Sequence, residues 1–254
     1  MMKEKVFFRT PKGLKLCGML EGPDKPKAGV LLISGYASGK DEWGGFMIRY
    51  AAALNKAGFL TLRFDRAGIG ESEGEFADCT METELGDCIA AYNFLKEKCG
   101  TIGIAGQSMG GALAVMLAAK TMPKAVVASA TVAVPSEVMK TLFTGEEITM
   151  LKKKGEITIP KDWEEHFNVK FFGWKYWKTA ADFGIAKYAA SVAAPALVIH
   201  GTADEYVPIQ HGKLVFNSLK CMKKFEAIEG ASHGFEEHED TFFKLATDWF
   251  KKYL

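Results

Sequence analysis

Gly106-Gln107-Ser108-Met109-Gly110 lies between a short apolar run, Thr101 to Ala105, and a long apolar stretch of helical character, Ala112 to Lys120. The pentapeptide reads G-x-S-x-G, and its setting makes it informative. A serine on a sharp strand-to-helix turn takes up a strained backbone, which is tolerable only where the flanking positions carry little or no side chain. Gly106 and Gly110 meet that demand, and Gly111 adds room at the start of the helix. Such a turn holds the Ser108 hydroxyl above the end of a sheet, at the positive end of the following helix. The plainer reading, a Gly-rich turn whose serine caps a helix, leaves the pattern of acid and histidine further along the chain unexplained.

A serine hydroxyl is a poor nucleophile at neutral pH until a base takes its proton and a third group orients that base. Pro195 to His200 reads as a buried parallel strand, and it runs into Gly201-Thr202-Ala203-Asp204-Glu205. Asp204 therefore falls in the loop past a strand's carboxyl end, where α/β enzymes place their working groups. A helix comes next, then the strand Lys224 to Ile228, then Glu229-Gly230-Ala231-Ser232-His233-Gly234. Of five histidines, only His233 sits in a Gly-flanked loop after a terminal strand. His200 ends a strand and is expected to bond locally; His211 and His238 are expected on helix surfaces. Glu205 is expected to be an exposed neighbour of the orienting Asp204. The chain order Ser108, Asp204, His233 is that of α/β-hydrolases. The oxyanion donors are expected to be the backbone N–H of Met109, the residue after the nucleophile, and that of Tyr36, in the loop after the strand Gly29 to Ile33.

At these residues the chain resembles the α/β-hydrolase superfamily over essentially its whole length. Within the superfamily it is most similar to the cytosolic bacterial and archaeal esterases that include the cinnamoyl (feruloyl) esterases. The resemblance rests on Ser34-Gly35-Tyr36, the run Arg63-Phe64-Asp65-Arg66-Ala67-Gly68-Ile69-Gly70-Glu71-Ser72-Glu73-Gly74, the elbow and the two loops carrying Asp204 and His233. It implies an α/β fold with a mostly parallel central sheet, helices on both faces and an inserted cap. It also implies carboxylic ester hydrolysis through an acyl-enzyme, with no metal or organic cofactor. One departure stands out. Such esterases usually carry His-Gly before the oxyanion residue, and this chain has Ser34-Gly35, so the hydrogen bonds supporting the hole must differ.

Composition sets outer bounds. A chain of 254 residues, 48% hydrophobic and 25% charged, has the makings of one large core. Its net charge of +1 gives no reason to expect a nucleic acid or an anionic membrane as partner. The expected partner is a small ester substrate, and composition leaves a homodimer open. Met1-Met2-Lys3-Glu4-Lys5 lacks the apolar core of a signal peptide, and no run approaches the ~18–20 apolar residues of a membrane span. Five scattered cysteines without C-x-x-C spacing read as reduced thiols of a cytoplasmic protein.

Strands and helices alternate along the chain, beginning with an antiparallel pair at Val6–Arg9 and Lys15–Leu20. The rhythm breaks between about 134 and 186, which divides the chain into a hydrolase core (1–133 and 187–254) and a cap (134–186). The cap holds three of the five tryptophans, Trp163, Trp174 and Trp177, among further aromatic residues. Its rings are expected mostly to pack the cap onto the core, with Trp163, Phe171 and Trp174 reaching substrate. His166 beside Glu164 and Glu165 lacks the spacing and the third partner of a metal site. Gly68 to Gly74 imitates a dinucleotide fingerprint, but its last glycine comes one residue late and Glu71, Glu73 and Glu75 would repel a pyrophosphate. The readings that remain beside an esterase are a thioesterase, small-peptide or C–C bond hydrolase on the same three residues, and a non-catalytic binding protein on a hydrolase fold.

Overall fold

Leu31, Leu32 and Ile33, and likewise Leu197, Val198 and Ile199, are buried side by side along their strands, as strands covered on both faces must be. The computed structural model describes residues 1–159, 169–181 and 183–254. The chain opens with β1 (Met2–Arg9) and β2 (Lys15–Gly22), both longer than their apolar residues suggest, then β3 (Gly29–Ile33). Next come α1 (Phe46–Lys56), β4 (Leu60–Phe64), α2 (Met81–Cys99), β5 (Ile102–Gln107), α3 (Met109–Thr121) and β6 (Ala125–Ser129). The stretch beyond them carries α4 (Pro135–Leu142), α5 (Gly145–Lys154), β7 (Glu156–Thr158), β8 (Phe171–Gly173) and α6 (Trp174–Ala180). The rhythm then resumes with α7 (Ile185–Ala190), β9 (Ala196–Gly201), α8 (Ile209–Ser218), β10 (Lys223–Ile228) and α9 (Glu239–Tyr253).

Eight strands form one sheet in the order β1-β2-β4-β3-β5-β6-β9-β10, and β7 pairs with β8 in a separate two-stranded ribbon. β1 and β2 are antiparallel additions at one edge, and the strands from β4 to β10 run parallel. Alternation along each strand sorts side chains into two cores. Leu31 and Ile33 join the core beneath α2, α3 and α7, while Val30 and Leu32 join the one beneath α1 and α9. In α9, Phe242, Ala246, Trp249 and Phe250 are buried, one stripe of an amphipathic helix.

The order matters for the site. After β3 the chain moves to β4 on one side and returns to β5 on the other, so β3 and β5 flank the switch point of the sheet. Loops leaving the carboxyl ends of two such strands diverge and leave a crevice between them. Here those loops are Ser34 to Ser38 and the turn at Ser108.

Candidate active site

Ser108 joins β5 to α3 with φ 60° and ψ −123°, a region that non-glycine residues rarely occupy. The neighbours make that turn possible. A Cβ at Gly106 would overlap the Gly110 carbonyl, and one at Gly110 would overlap the carbonyls of Ile33 and Ser34. Gly111 is tight as well, 2.9 Å from Thr131 by the same measure. The glycines thus serve close packing of the elbow on the β3 loop, and α3 begins at Met109, directly after Ser108. Ser108 N–H donates to the Ser129 carbonyl (2.9 Å), tying the turn to the neighbouring strand. Met109 opens α3, and the first N–H groups of a helix have no acceptor within it.

Asp204 and His233 leave the ends of β9 and β10, which are paired in register from Ala196↔Lys223 to Gly201↔Ile228. Their loops remain in contact beyond the strands: Ala203 N–H donates to the Ala231 carbonyl (3.0 Å), and Gly230 N–H to Thr202 Oγ1 (2.8 Å). His233 Nδ1 lies 2.8 Å from Asp204 Oδ2. The other carboxylate oxygen accepts the N–H groups of Tyr206 (3.0 Å) and Val207 (2.8 Å). Burial alone would raise the Asp204 pKa. The hydrogen bonds from His200 and His233, the charge of His233 and the Val207 N–H outweigh it and hold the carboxyl well below the usual carboxylate range. His200 bonds locally, its Nε2 lying 2.8 Å from the Val207 carbonyl. Glu205 is exposed.

His211 departs from the surface position expected of it. It is buried, and its Nδ1 accepts N–H bonds from Ala133 and Val134 at 3.3 Å. The helix turns that ring inward because α8 packs beside β9 and the chain leaving β6, a relation between distant segments.

A cavity of about 370 Å³ opens over these groups, and both Ser108 and His233 line it. Gly35, Tyr36 and Glu42 border it on the β3 side; Val138 and Leu142 of α4, with Tyr206 and Val207, give it an apolar wall. Trp163 lies outside the described residues, as does His166. Phe171 is 44% exposed at the start of β8, and Trp174 is half-buried with the Lys152 ammonium 5.4 Å from its ring centroid. Neither is among the residues lining this cavity. Among the described residues of the 134–186 stretch, Phe172, Tyr176 and Trp177 instead gather on the Tyr36 ring, with Tyr176 at 4.7 Å and Trp177 at 4.8 Å between centroids.

Three further residues hold the backbone around the site, roles that sequence reasoning did not assign to them. Gln107, a variable position of the motif, donates from Nε2 to the His233 carbonyl (2.9 Å) and pins that loop to the elbow. Glu42 Oε2 accepts the Gly35 N–H (2.8 Å); burial pushes its carboxyl above the ordinary range against the opposing pull of that N–H. Arg66, buried beneath the same loop, donates to the carbonyls of Ser34 (2.9 Å) and Gly35 (2.5 Å). These contacts answer the departure at Ser34. A carboxylate holds Gly35 on one side and a guanidinium on the other. Ser34 Oγ itself donates to the Ser38 carbonyl (2.9 Å).

For a metal, the described residues bring together one set of possible ligands, Cys17, Asp65 and Glu71. The Lys40 ammonium already neutralises both carboxylates there, at 2.8 and 3.0 Å, and Asp65 also accepts the Glu71 N–H (3.0 Å). The cluster thereby braces the loop after β4, the segment that imitates a dinucleotide fingerprint.

Comparison with known proteins agrees with this fold. The family described as serine aminopeptidase, S33, matches residues 24–160. The mitochondrial palmitoyl-protein thioesterase ABHD10 of Mus musculus is 29% identical over 75% of this chain and 63% of its own length. That of Rattus norvegicus is 27% identical over 71% of this chain and 60% of its own. The chain therefore spans less than two thirds of these relatives. Among solved structures, Est1E of Butyrivibrio proteoclasticus with ferulic acid bound superposes with a TM-score of 0.82 at 23% identity, covering 98% of this chain and 99% of that one.

Proposed function

The chain belongs to the serine aminopeptidase S33 family of hydrolases and has the α/β-hydrolase fold, and from that premise we propose that it cleaves carboxylic esters with a substantial apolar acyl group. The observation that carries this reading is the meeting of Ser108, on a strained elbow, and His233, hydrogen-bonded to Asp204, in one largely apolar cavity.

In the proposed reaction His233 takes the Ser108 proton as the hydroxyl attacks the ester carbonyl. The N–H groups of Met109 and Tyr36 hold the developing oxyanion, an interaction stronger in the transition state than in the ground state. His233 then protonates the leaving alcohol. Water, deprotonated by His233, releases the acid and frees Ser108. Asp204 keeps the His233 proton on Nδ1, so that Nε2 is available as the base, and stabilises the imidazolium that forms.

The 134–186 stretch is read as the cap, with Val138 and Leu142 rather than Phe171 and Trp174 meeting the acyl group. One observation favours a thioester as the second substrate class: the ABHD10 relatives are named as palmitoyl-protein thioesterases. The site of action proposed is the cytoplasm, on the strength of five free thiols; among the described residues no helix is long and apolar enough to cross a membrane.

The test is hydrolysis of matched oxygen esters and thioesters, from acetyl to palmitoyl and including hydroxycinnamoyl, by the wild type and Ser108→Ala. Turnover lost in the variant is expected, and the ester-to-thioester ratio assigns the leaving group. A folded wild type with no turnover, whose Ser108 ignores an organophosphonate, would instead be a binding protein.

A further inference from the structure

Arg66 and Glu84 form an ion pair in the interior, Nε to Oε1 at 2.9 Å, with side chains 1% and 0% exposed. Replacing such a pair by apolar residues of similar volume often costs nothing or even stabilises, because desolvation consumes the Coulombic gain. Its presence beneath the oxyanion loop therefore asks for an explanation other than stability.

The guanidinium is shared in a telling way. Nε faces Glu84, Nη1 donates to the Ser34 carbonyl (2.9 Å) and to Ser34 Oγ (3.2 Å), and Nη2 donates to the Gly35 carbonyl (2.5 Å). The Gly35 carbonyl and the Tyr36 N–H belong to one peptide group, and the described chain has no cis peptide bond. In a trans peptide these two groups point in opposite directions. Fixing the carbonyl on Arg66 thus fixes the direction of the Tyr36 N–H. Glu42 restrains the preceding peptide through the Gly35 N–H, and Gly35 itself abuts the nucleophile, since a Cβ there would stand 3.4 Å from Ser108 Cβ.

The far end of the pair reaches the 134–186 stretch. Tyr176 Oη, on α6, donates to Glu84 Oε2 (3.0 Å), and the Tyr176 ring rests on the Tyr36 ring. A line of hydrogen bonds consequently runs from α6 through Glu84 and Arg66 to the peptide that carries the Tyr36 N–H.

We propose that Arg66 is a positioning residue that aims the Tyr36 N–H at the oxyanion, and that α6 sets its placement through Tyr176 and Glu84. The inference rests on the serine-hydrolase reading above. It gives the 134–186 stretch a part in the chemical step in addition to walling the cavity.

The double variant Arg66→Met/Glu84→Met removes the pair without leaving a buried charge alone. Its thermal midpoint, kcat, KM and rate of phosphonate labelling are compared with the wild type on one p-nitrophenyl ester. Expected are a midpoint within a few degrees, a KM within about threefold and a kcat lower by roughly 10²-fold, the scale of losing one oxyanion donor. Tyr176→Phe, which keeps the ring and removes only the hydroxyl, is expected to lower kcat several-fold at unchanged KM. Arg66→Lys should recover part of the loss, because the ammonium can reach one carbonyl. A folded double variant with kcat within twofold of the wild type overturns the inference and leaves the hydrolase reading standing. If the double variant does not fold, Tyr176→Phe decides, and unaltered kcat there overturns the inference. A wild type that neither turns over nor labels at Ser108 overturns the hydrolase reading and this inference with it.

Discussion

Asp204 meets His233 through one carboxylate oxygen, at 2.8 Å from Nδ1, while its other oxygen is held by the N–H groups of Tyr206 and Val207. The backbone bonds leave the carboxylate little freedom to turn, so the geometry of His233 is set by the loop after β9. Asp204→Asn can keep the Tyr206 and Val207 bonds through its amide oxygen but then presents an NH₂ to Nδ1, which forces the wrong tautomer. The expected result is a fall in kcat on the order of 10⁴-fold. Because the folded-state pKa is depressed, the stabilisation from this carboxylate is complete above the ordinary carboxylate range and is lost as pH falls through that range to the lower folded value. Unfolding midpoints of the two proteins should thus differ at pH 7 and converge only in strong acid.

Gly110 and Gly86 offer a paired test of the elbow. A Cβ at Gly110 would overlap two carbonyls of the β3 loop, whereas one at Gly86, inside α2, meets nothing within 4 Å. Gly110→Ala is expected to cost about 3 kcal/mol or more and to abolish turnover, since the backbone carrying Ser108 must shift. Gly86→Ala should stabilise by roughly 0.5–1 kcal/mol. Denaturant unfolding of both variants checks the contrast.

Asp87 provides a pH signature in the opposite sense. Burial pushes its carboxyl up to about 6 despite the N–H of Ala67 that it accepts at 2.9 Å. A raised acid favours folding fully only below its unfolded pKa, and that advantage is lost as pH rises through about 6. Asp87→Asn retains an acceptor for Ala67 and has no charge to bury. Its stability relative to the wild type should increase between pH 4 and pH 7 by on the order of 2–3 kcal/mol. A pH-independent difference between the two melting curves would refute this assignment.

The apolar wall makes a prediction about chain length. Leu142 lines the cavity and lies on α4. Leu142→Trp should shorten the space for an acyl chain, leaving kcat/KM for acetyl esters near the wild type. For octanoyl and longer esters it should fall by at least about tenfold, the scale of one or two methylenes rejected by a pocket. Equal losses across all chain lengths would place the acyl group elsewhere.

The parts of this site that could be read along the chain were those whose chemistry is local. A turn as tight as that at Ser108 needs glycine on both sides, so G-x-S-x-G between a strand and a helix marks itself. Asp204 and His233 come after apolar runs that can only be buried strands, and the loops beyond such strands converge at one end of a parallel sheet. What stayed hidden depends on how side chains meet across the fold. The aromatic richness of 134–186 suggested substrate contact by Phe171 and Trp174. In the structure the rings of Phe172, Tyr176 and Trp177 cover Tyr36, and α4 offers Val138 and Leu142 to the cavity. His211 looked superficial because helical position alone does not say which side another element will cover.

By itself the sequence determined the parallel sheet, the strained serine and the order in which Ser108, Asp204 and His233 come to the same edge. Those features arise from backbone sterics and strand burial, which act over a few residues. Only the tertiary structure decided how the loop from Ser34 to Ser38 is held. Gln107 on His233, Glu42 on Gly35, and Arg66 on Ser34 and Gly35 are hydrogen bonds to backbone groups. A backbone carbonyl or N–H is the same at every residue, so nothing in the sequence marks which one a buried side chain will find.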